Sequence, residues 1–97
     1  MSEVTLRSFS KTTITSVASS ATSVPLVAAR DVRKGMIIQN TSTAILYILF
    51  GGGTATATTA HSVQIAPNAY YDLSGFTGAV SCIWAAANGQ ANITEFE

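Results

Sequence analysis

The chain has 97 residues, a length that suits one small domain. Charged residues make up 10% of the chain and its formal net charge is zero, whereas charged residues make up about 25% of a typical soluble domain. This balance excludes nucleic-acid binding driven by clustered lysines and arginines. No apolar run approaches the roughly 18 residues of a membrane-spanning helix, and the first residues lack the pattern of a secretory signal. We therefore expect a protein made inside a cell, with no membrane partner.

The few charges are unevenly placed. All five cations lie within the first 34 residues, and Asp72 carries the sole formal charge between Lys34 and Glu95. An ordinary monomer stays soluble through a surface of mixed charges, but this chain offers threonine, serine, alanine and asparagine instead. Two explanations stay open: a surface that partners or further copies of the chain cover, or a polar, uncharged β-protein surface.

The N-terminal part is rich in hydroxyl side chains, with ten Ser or Thr among residues 8–23. Residues 11–17 contain β-branched residues that favour a strand, and residues 19–23 are typical of a loop. Since chain termini are often ordered only against a neighbour, we interpret residues 1–23 as an N-terminal arm or edge strand. Residues 24–97 then form the domain proper.

From residue 24 onward the signals are those of short strands separated by turns. Pro25 favours an edge strand, because proline cannot donate to a central ladder. Asn88 and Gly89 are a strong two-residue hairpin signal between the last two strands. Further strands are predicted near residues 36–40, 44–50, 62–66, 69–73, 80–84 and 90–96. No stretch sustains a helical period with caps. The pattern predicts an all-β fold, a small antiparallel β-sandwich or jelly-roll-like barrel of about eight short strands.

Gly51, Gly52 and Gly53 follow an apolar run, which is also where phosphate-binding loops occur. Such a loop needs a lysine and a Ser or Thr at a fixed distance, followed by a helix, and this chain continues with alternating Thr and Ala. We therefore interpret the glycines as the bend of a hairpin. Residues 54–59 are either a floppy loop or a protruding extended strand. A low-charge strand of this kind is adhesive when exposed, so a subunit or lattice contact is favoured.

The dense charge cluster consists of Arg30, Asp31, Arg33 and Lys34. One interpretation is a solvated turn. The other is a salt-bridging contact to a neighbouring subunit, since arginine forks match carboxylates. The candidate subunit or capsid contacts, besides the N-terminal arm, are Arg30, Asp31, Arg33, Lys34, Gly51, Gly52, Gly53, Thr54, Thr56 and Thr58.

No pattern of residues predicts catalysis, a metal or a cofactor. His61 has no carboxylate at ligand spacing and is expected at the surface or at a strand end. Cys82 is expected to be a small buried hydrophobe, without the base and orienting group that a nucleophile needs. Aromatic residues are assigned to the core by default; these are Tyr70, Tyr71, Phe76 and Trp84. Nearby Asn68 and Asp72 keep a glycan-binding alternative open.

Residues 29–97 resemble small proteins common in the structural modules of tailed bacteriophages. The pattern begins at Arg33 with RKGMIIQNTS and passes through residues 44–48, the glycine-rich loop, and residues 62–73 and 76–80. It ends in its most specific part, IWAAANGQANITE, at residues 83–95. The resemblance implies a non-enzymatic virion β-sandwich, in particular a capsid decoration or cement protein. Its expected partner is the major capsid protein, its expected oligomer a homotrimer, and its expected site of assembly the host bacterial cytoplasm. A tail or fibre module that binds host glycan is the alternative.

Overall fold

The computed structural model describes residues 11–97, which form eight β-strands and, within that range, no helix. The strands are β1 (Thr12–Ala18), β2 (Val24–Val27), β3 (Gly35–Asn40), β4 (Leu46–Phe50), β5 (Val63–Ile65), β6 (Tyr70–Ser74), β7 (Val80–Trp84) and β8 (Gln90–Phe96). The first ten residues of the predicted arm lie outside the described residues. The remainder of the arm contains β1, which is an edge strand of the sandwich.

The strands form two antiparallel four-stranded sheets. Sheet A has the order β1-β8-β3-β6 and sheet B has the order β2-β7-β4-β5. Nearly every connection crosses from one sheet to the other, and only β4 and β5 are both consecutive and paired. This order is that of an eight-stranded jelly roll. The all-β, eight-strand prediction is confirmed, and so is β2 as an edge strand that contains Pro25.

The predicted hairpin at Asn88 and Gly89 is wrong. β7 belongs to sheet B and β8 to sheet A, so the turn carries the chain between the sheets. Gly89 is required by close packing: a Cβ at this position would lie 2.5 Å from Cα of Ser42. The backbone N–H of Gly89 donates to Ser19 Oγ at 2.8 Å, and the carbonyl oxygen of Gly89 accepts from the backbone N–H of Ser19 at 2.9 Å.

The core lies between the sheets and follows the period of two that strands impose. Met36 and Ile38 of sheet A face the interior, as do Leu46, Ile48 and Trp84 of sheet B. Burial of one such side chain contributes about 1.5–3 kcal/mol. The apolar alternation predicted for residues 80–84 is confirmed, because Val80, Cys82 and Trp84 are all buried.

Asn40 is a buried polar side chain that joins the two sheets at one end of the sandwich. Its Nδ2 donates to the carbonyl oxygens of Ala44, at 2.8 Å, and Ile65, at 2.9 Å. Its Oδ1 accepts from Ser42 Oγ at 2.7 Å and from Trp84 Nε1 at 3.3 Å. Since a buried amide must be satisfied to be tolerated, this network holds the loop after β3 against sheet B.

We expect Asn40→Ala to lower the free energy of unfolding by about 3 kcal/mol, because Trp84 Nε1 and the backbone N–H of Ser42 lose their acceptor in a dry site. The matched control is Gln39→Ala, one residue earlier in β3 and exposed, which should stay within about 0.5 kcal/mol of the parent. Urea unfolding followed by tryptophan fluorescence measures both. Equal stabilities of the two variants would contradict the assigned role of Asn40.

Candidate interaction surfaces

Arg33 lies in the interior, with none of its side chain exposed. Its guanidinium donates to Glu95 Oε2 at 2.8 Å and to the carbonyl oxygens of Ala28, at 3.1 Å, Phe76, at 3.1 Å, and Gly78. The residue is thereby bonded to β8 in sheet A, to the chain after β2, and to the loop between β6 and β7. Both sequence interpretations of Arg33 are corrected here: its fork is neither solvated nor free to bind a neighbouring subunit.

Arg30 extends the same network toward the surface. Its Nη1 lies 3.3 Å from Glu95 Oε1 and its Nη2 pairs with Glu97 Oε2. About a third of its side chain is exposed. Both salt bridges of Arg30 are to glutamates of the same chain. The two arginines and two glutamates together form a neutral cluster at one end of the sandwich.

The rest of the charged turn faces solvent. Asp31 and Lys34 are exposed, and between them Val32 has 58% of its surface exposed. An apolar residue this exposed, flanked by charges of opposite sign, resembles the centre and rim of a small contact patch. This part of the predicted cluster remains available to a partner.

The three glycines form the predicted bend. Gly51 and Gly52 have φ of 103° and 78°, a region that favours glycine, and Gly51 N–H donates to the carbonyl oxygen of Ala79 at 2.8 Å. The bend begins the loop between the paired strands β4 and β5. Both the bend and Arg33 contact the loop between β6 and β7, so the structure brings two predicted contact elements to one end. We call this exposed region the turn surface; it comprises Asp31, Val32, Lys34, Gly51, Gly52 and Gly53.

The Thr-rich segment after the glycines is a packed loop, so the prediction of a protruding strand is wrong. Ala55 is buried and its N–H donates to Ser23 Oγ at 3.0 Å. The loop therefore reaches from the end of β4 to the start of β2 and lies over the outer face of sheet B, where Ser81 of β7 is buried. Thr56 caps a tight turn, with its Oγ1 accepting from Ala60 N–H at 2.8 Å. Thr54 and Thr58 remain exposed, whereas Thr56 is engaged within the loop.

The outer face of sheet A has no such cover within residues 11–97. Tyr70 of β6 has 68% of its surface exposed, and the register places it beside Gln39 of β3, which in turn lies beside Asn92 of β8. The assignment of Tyr70 to the core is therefore wrong. Tyr71, Phe76 and Trp84 do face inward: Trp84 is buried, and rings of Tyr71 and Phe76 pack against Phe50.

Cys82 and His61 have ordinary environments. Burial raises the pKa of the Cys82 thiol to about 12, so the thiol stays protonated at neutral pH. The residue is also fully buried, which makes the thiol inaccessible to solvent. His61 is half-buried beside Tyr47, with 4.9 Å between the ring centroids, and its Nδ1 lies 3.0 Å from the carbonyl oxygen of Thr56. In the described part of the chain, no three His, Cys, Asp or Glu side chains gather as metal ligands, and no helix could span a membrane.

Sequence reasoning missed Glu95 as the partner of Arg33. A signal was present, because Ala91, Ile93 and Glu95 share one face of β8 and a carboxylate on an apolar face needs a buried cation. Which cation would reach it depends on the crossing of the sheets, and no local pattern contains that information.

No family model matches this chain, and no curated protein matches it. Among solved structures it is similar to one described as "Bacillus endospore appendages form a novel family of disulfide-linked pili". The TM-score is 0.54 and the identity 13%, over 89% of this chain and 85% of that chain. At this identity the likeness shows the shared β-sandwich fold alone.

We expect Arg33→Ala to lower the free energy of unfolding by about 3–5 kcal/mol, since it leaves Glu95 buried without its closest cation. Arg33→Lys should recover little of this loss, because one ammonium group cannot reproduce the planar fork. The control is Lys34→Ala, which removes the exposed neighbouring charge. Denaturant unfolding of the three variants tests the assignment, and a stable Arg33→Ala protein would refute it.

Proposed function

We propose that this chain is a non-enzymatic structural protein of a bacteriophage particle, a capsid decoration or cement protein that braces adjacent capsomers. The observation that carries the proposal is a jelly roll with a nearly uncharged surface and an exposed apolar residue, Val32, at its turn surface. Jelly rolls are a recurrent fold of viral capsid domains. The resemblance of residues 29–97 to phage structural proteins supports the same conclusion.

The similar Bacillus structure is described as part of disulfide-linked pili, so the same fold serves a structural assembly there. A covalent link of that kind is not open to these 97 residues, because their one cysteine is buried. Assembly of this chain would depend on noncovalent contacts. Such contacts are individually weak, but a homotrimer that touches several copies of the major capsid protein gains avidity.

The turn surface is our candidate for the capsid contact. Arg33 and the Gly51 backbone hold its two parts against the same loop, so the surface is presented rigidly. Asp31 and Lys34 can pair with opposite charges on the shell, while Val32 fills an apolar depression. Rigid presentation lowers the entropy lost on binding.

Immunogold labelling of intact particles of the phage that encodes this chain tests the location. We expect label distributed over the head. Label confined to the tail would favour the glycan-binding alternative, and particles without label would refute both assignments.

We expect Val32→Asp to weaken binding to heads that lack this protein by about tenfold or more, because it places a charge at the centre of the contact. The matched control is Tyr70→Ser, which changes a similarly exposed residue on sheet A and should bind heads like the parent. Co-sedimentation of purified protein with heads measures both variants. Equal binding by Val32→Asp and the parent would exclude the turn surface as the capsid contact.

A second candidate function, a tail or fibre module that binds host glycan, is favoured by the exposed ring of Tyr70. Its neighbours Gln39 and Asn92 supply carboxamides, and Asp72 lies two residues further along the same face. An open aromatic ring with planar polar groups beside it is suited to a sugar ring. Tyr71, in contrast, packs inward and contributes nothing to such a platform.

If the chain binds glycan, Tyr70→Ser should abolish adsorption of the particle to host cells while the thermal unfolding temperature stays unchanged. Tyr71→Ser is the comparison, and it should lower the unfolding temperature because it removes a ring from the core. Adsorption counts and calorimetry separate the two effects. Full adsorption of the Tyr70→Ser particle would eliminate this candidate.

A further inference from the structure

Among the sheet edges formed by residues 11–97, β1 is the long one that lacks the usual protection against pairing with another strand. β2 has only four residues and contains Pro25 and a register shift, β5 has three residues, and β6 carries the charged Asp72. β1 has seven residues in unbroken register with β8 and contains no proline and no charge. Natural edge strands are usually short, kinked or charged, so an edge like that of β1 is suited to pairing.

The backbone groups on the outer side of β1 can be assigned from its pairing with β8. Lys11 and Glu97 exchange both of their backbone hydrogen bonds, at 3.0 and 2.9 Å, and Ser19 N–H donates to Gly89 at 2.9 Å. Odd-numbered residues of β1 therefore direct their N–H and C=O groups toward β8, since bonding alternates along an antiparallel strand. No other strand in residues 11–97 pairs with the outer side of β1. The outward-directed groups belong to Thr12, Ile14, Ser16 and Ala18.

We propose that two copies of this chain associate by antiparallel pairing of their β1 strands about a two-fold axis at Thr15. Ile14 then lies opposite Ser16 of the second copy, and Thr12 lies opposite Ala18 of the second copy. All four outward residues form hydrogen-bonded pairs, and the two A sheets merge into one continuous eight-stranded sheet. Such a contact is isologous, because each copy uses the same patch.

The side chains of β1 fit this occupant. Ile14 has 72% of its surface exposed, and in the paired sheet it lies diagonal to Ile14 of the second copy, within reach of an aliphatic contact. No charge occurs between Lys11 and Arg30, so the two strands meet without opposed like charges. An identical strand also matches β1 in length without further adjustment.

This inference goes beyond the proposed function, which concerns contact with the capsid through the turn surface. A two-fold contact through β1 is compatible with a three-fold contact elsewhere, because each subunit uses its β1 edge once. Self-association can be measured on the purified chain without any phage particle. If the purified chain does not self-associate, the proposed capsid contact is unaffected. If the chain does not bind heads, the proposed pairing through β1 is equally unaffected.

The first test is sedimentation equilibrium of the full chain over a range of concentrations, with Ser16→Pro and Ser16→Thr as paired variants. Proline removes an outward N–H and no bond to β8, so the fold should persist by circular dichroism. We expect the parent and Ser16→Thr to show a concentration-dependent step in which two copies associate. In Ser16→Pro the dissociation constant of this step should rise about tenfold or more. A monomeric parent, or association that is unchanged in Ser16→Pro, would overturn the proposal.

The second test addresses the register. Ile14→Lys should weaken association, because the two introduced lysines approach each other diagonally. Adding Ser16→Glu should restore it, since the introduced lysine of each copy would then lie directly opposite the introduced glutamate of the other. The control combines Ile14→Lys with Thr12→Glu. It has the same net charge but places each glutamate opposite Ala18 of the second copy, neither opposite nor diagonal to the introduced lysine of that copy, so association should stay weakened. Equal restoration by both double variants would overturn the pairing about Thr15.

Discussion

The buried guanidinium of Arg33 is the interaction on which the rest of the structure depends. An unpaired charge in an apolar interior is strongly unfavourable, and here one carboxylate and three carbonyl oxygens satisfy it. Those partners belong to β8 of sheet A, to the chain after β2 of sheet B, and to the loop between β6 and β7. The hydrogen bonds that satisfy the Arg33 guanidinium therefore also hold the two sheets together at one end of the sandwich. Asn40 does the equivalent at the other end, where it joins β3 to Trp84 and to the chain at Ile65. The apolar layer lies between these two polar groups.

The two outer faces of the sandwich differ in what they expose, and this difference determines which kinds of contact each face can make with another molecule. The loop after Gly53 lies over sheet B, with Ala55 buried and bonded to Ser23. Sheet A, by contrast, presents hydroxyls, carboxamides and the ring of Tyr70. Contacts on such a surface rely on hydrogen bonds and small apolar areas, each of modest strength. Repetition by symmetry is the physical means by which a small subunit of this kind gains affinity.

The prediction of eight short strands succeeded because alternation and turn residues are local signals. Residues 80–84 alternate as a buried strand must, and Pro25 marks an edge because proline lacks a donor. The hairpin at Gly89 failed because a turn dipeptide reports only local backbone preference, whereas the chain there crosses to the other sheet and packs against Ser42. Arg33 was misplaced for a similar reason, since its carboxylate partner is 62 residues away. Tyr70 was assigned to the core by composition, although Tyr71 takes that position.

The sequence by itself determined the all-β class, the approximate strand positions, the glycine bend, the buried Cys82 and the scarcity of surface charge. These properties depend on residue type and spacing within a few positions, where backbone sterics and side-chain alternation act directly. Only the tertiary structure decided which strands pair, which charges are internal, and which sheet face residues 11–97 leave uncovered. Those outcomes depend on contacts between distant parts of the chain, because Arg33, Asn40 and the β1 edge acquire their environments only when the two sheets have packed.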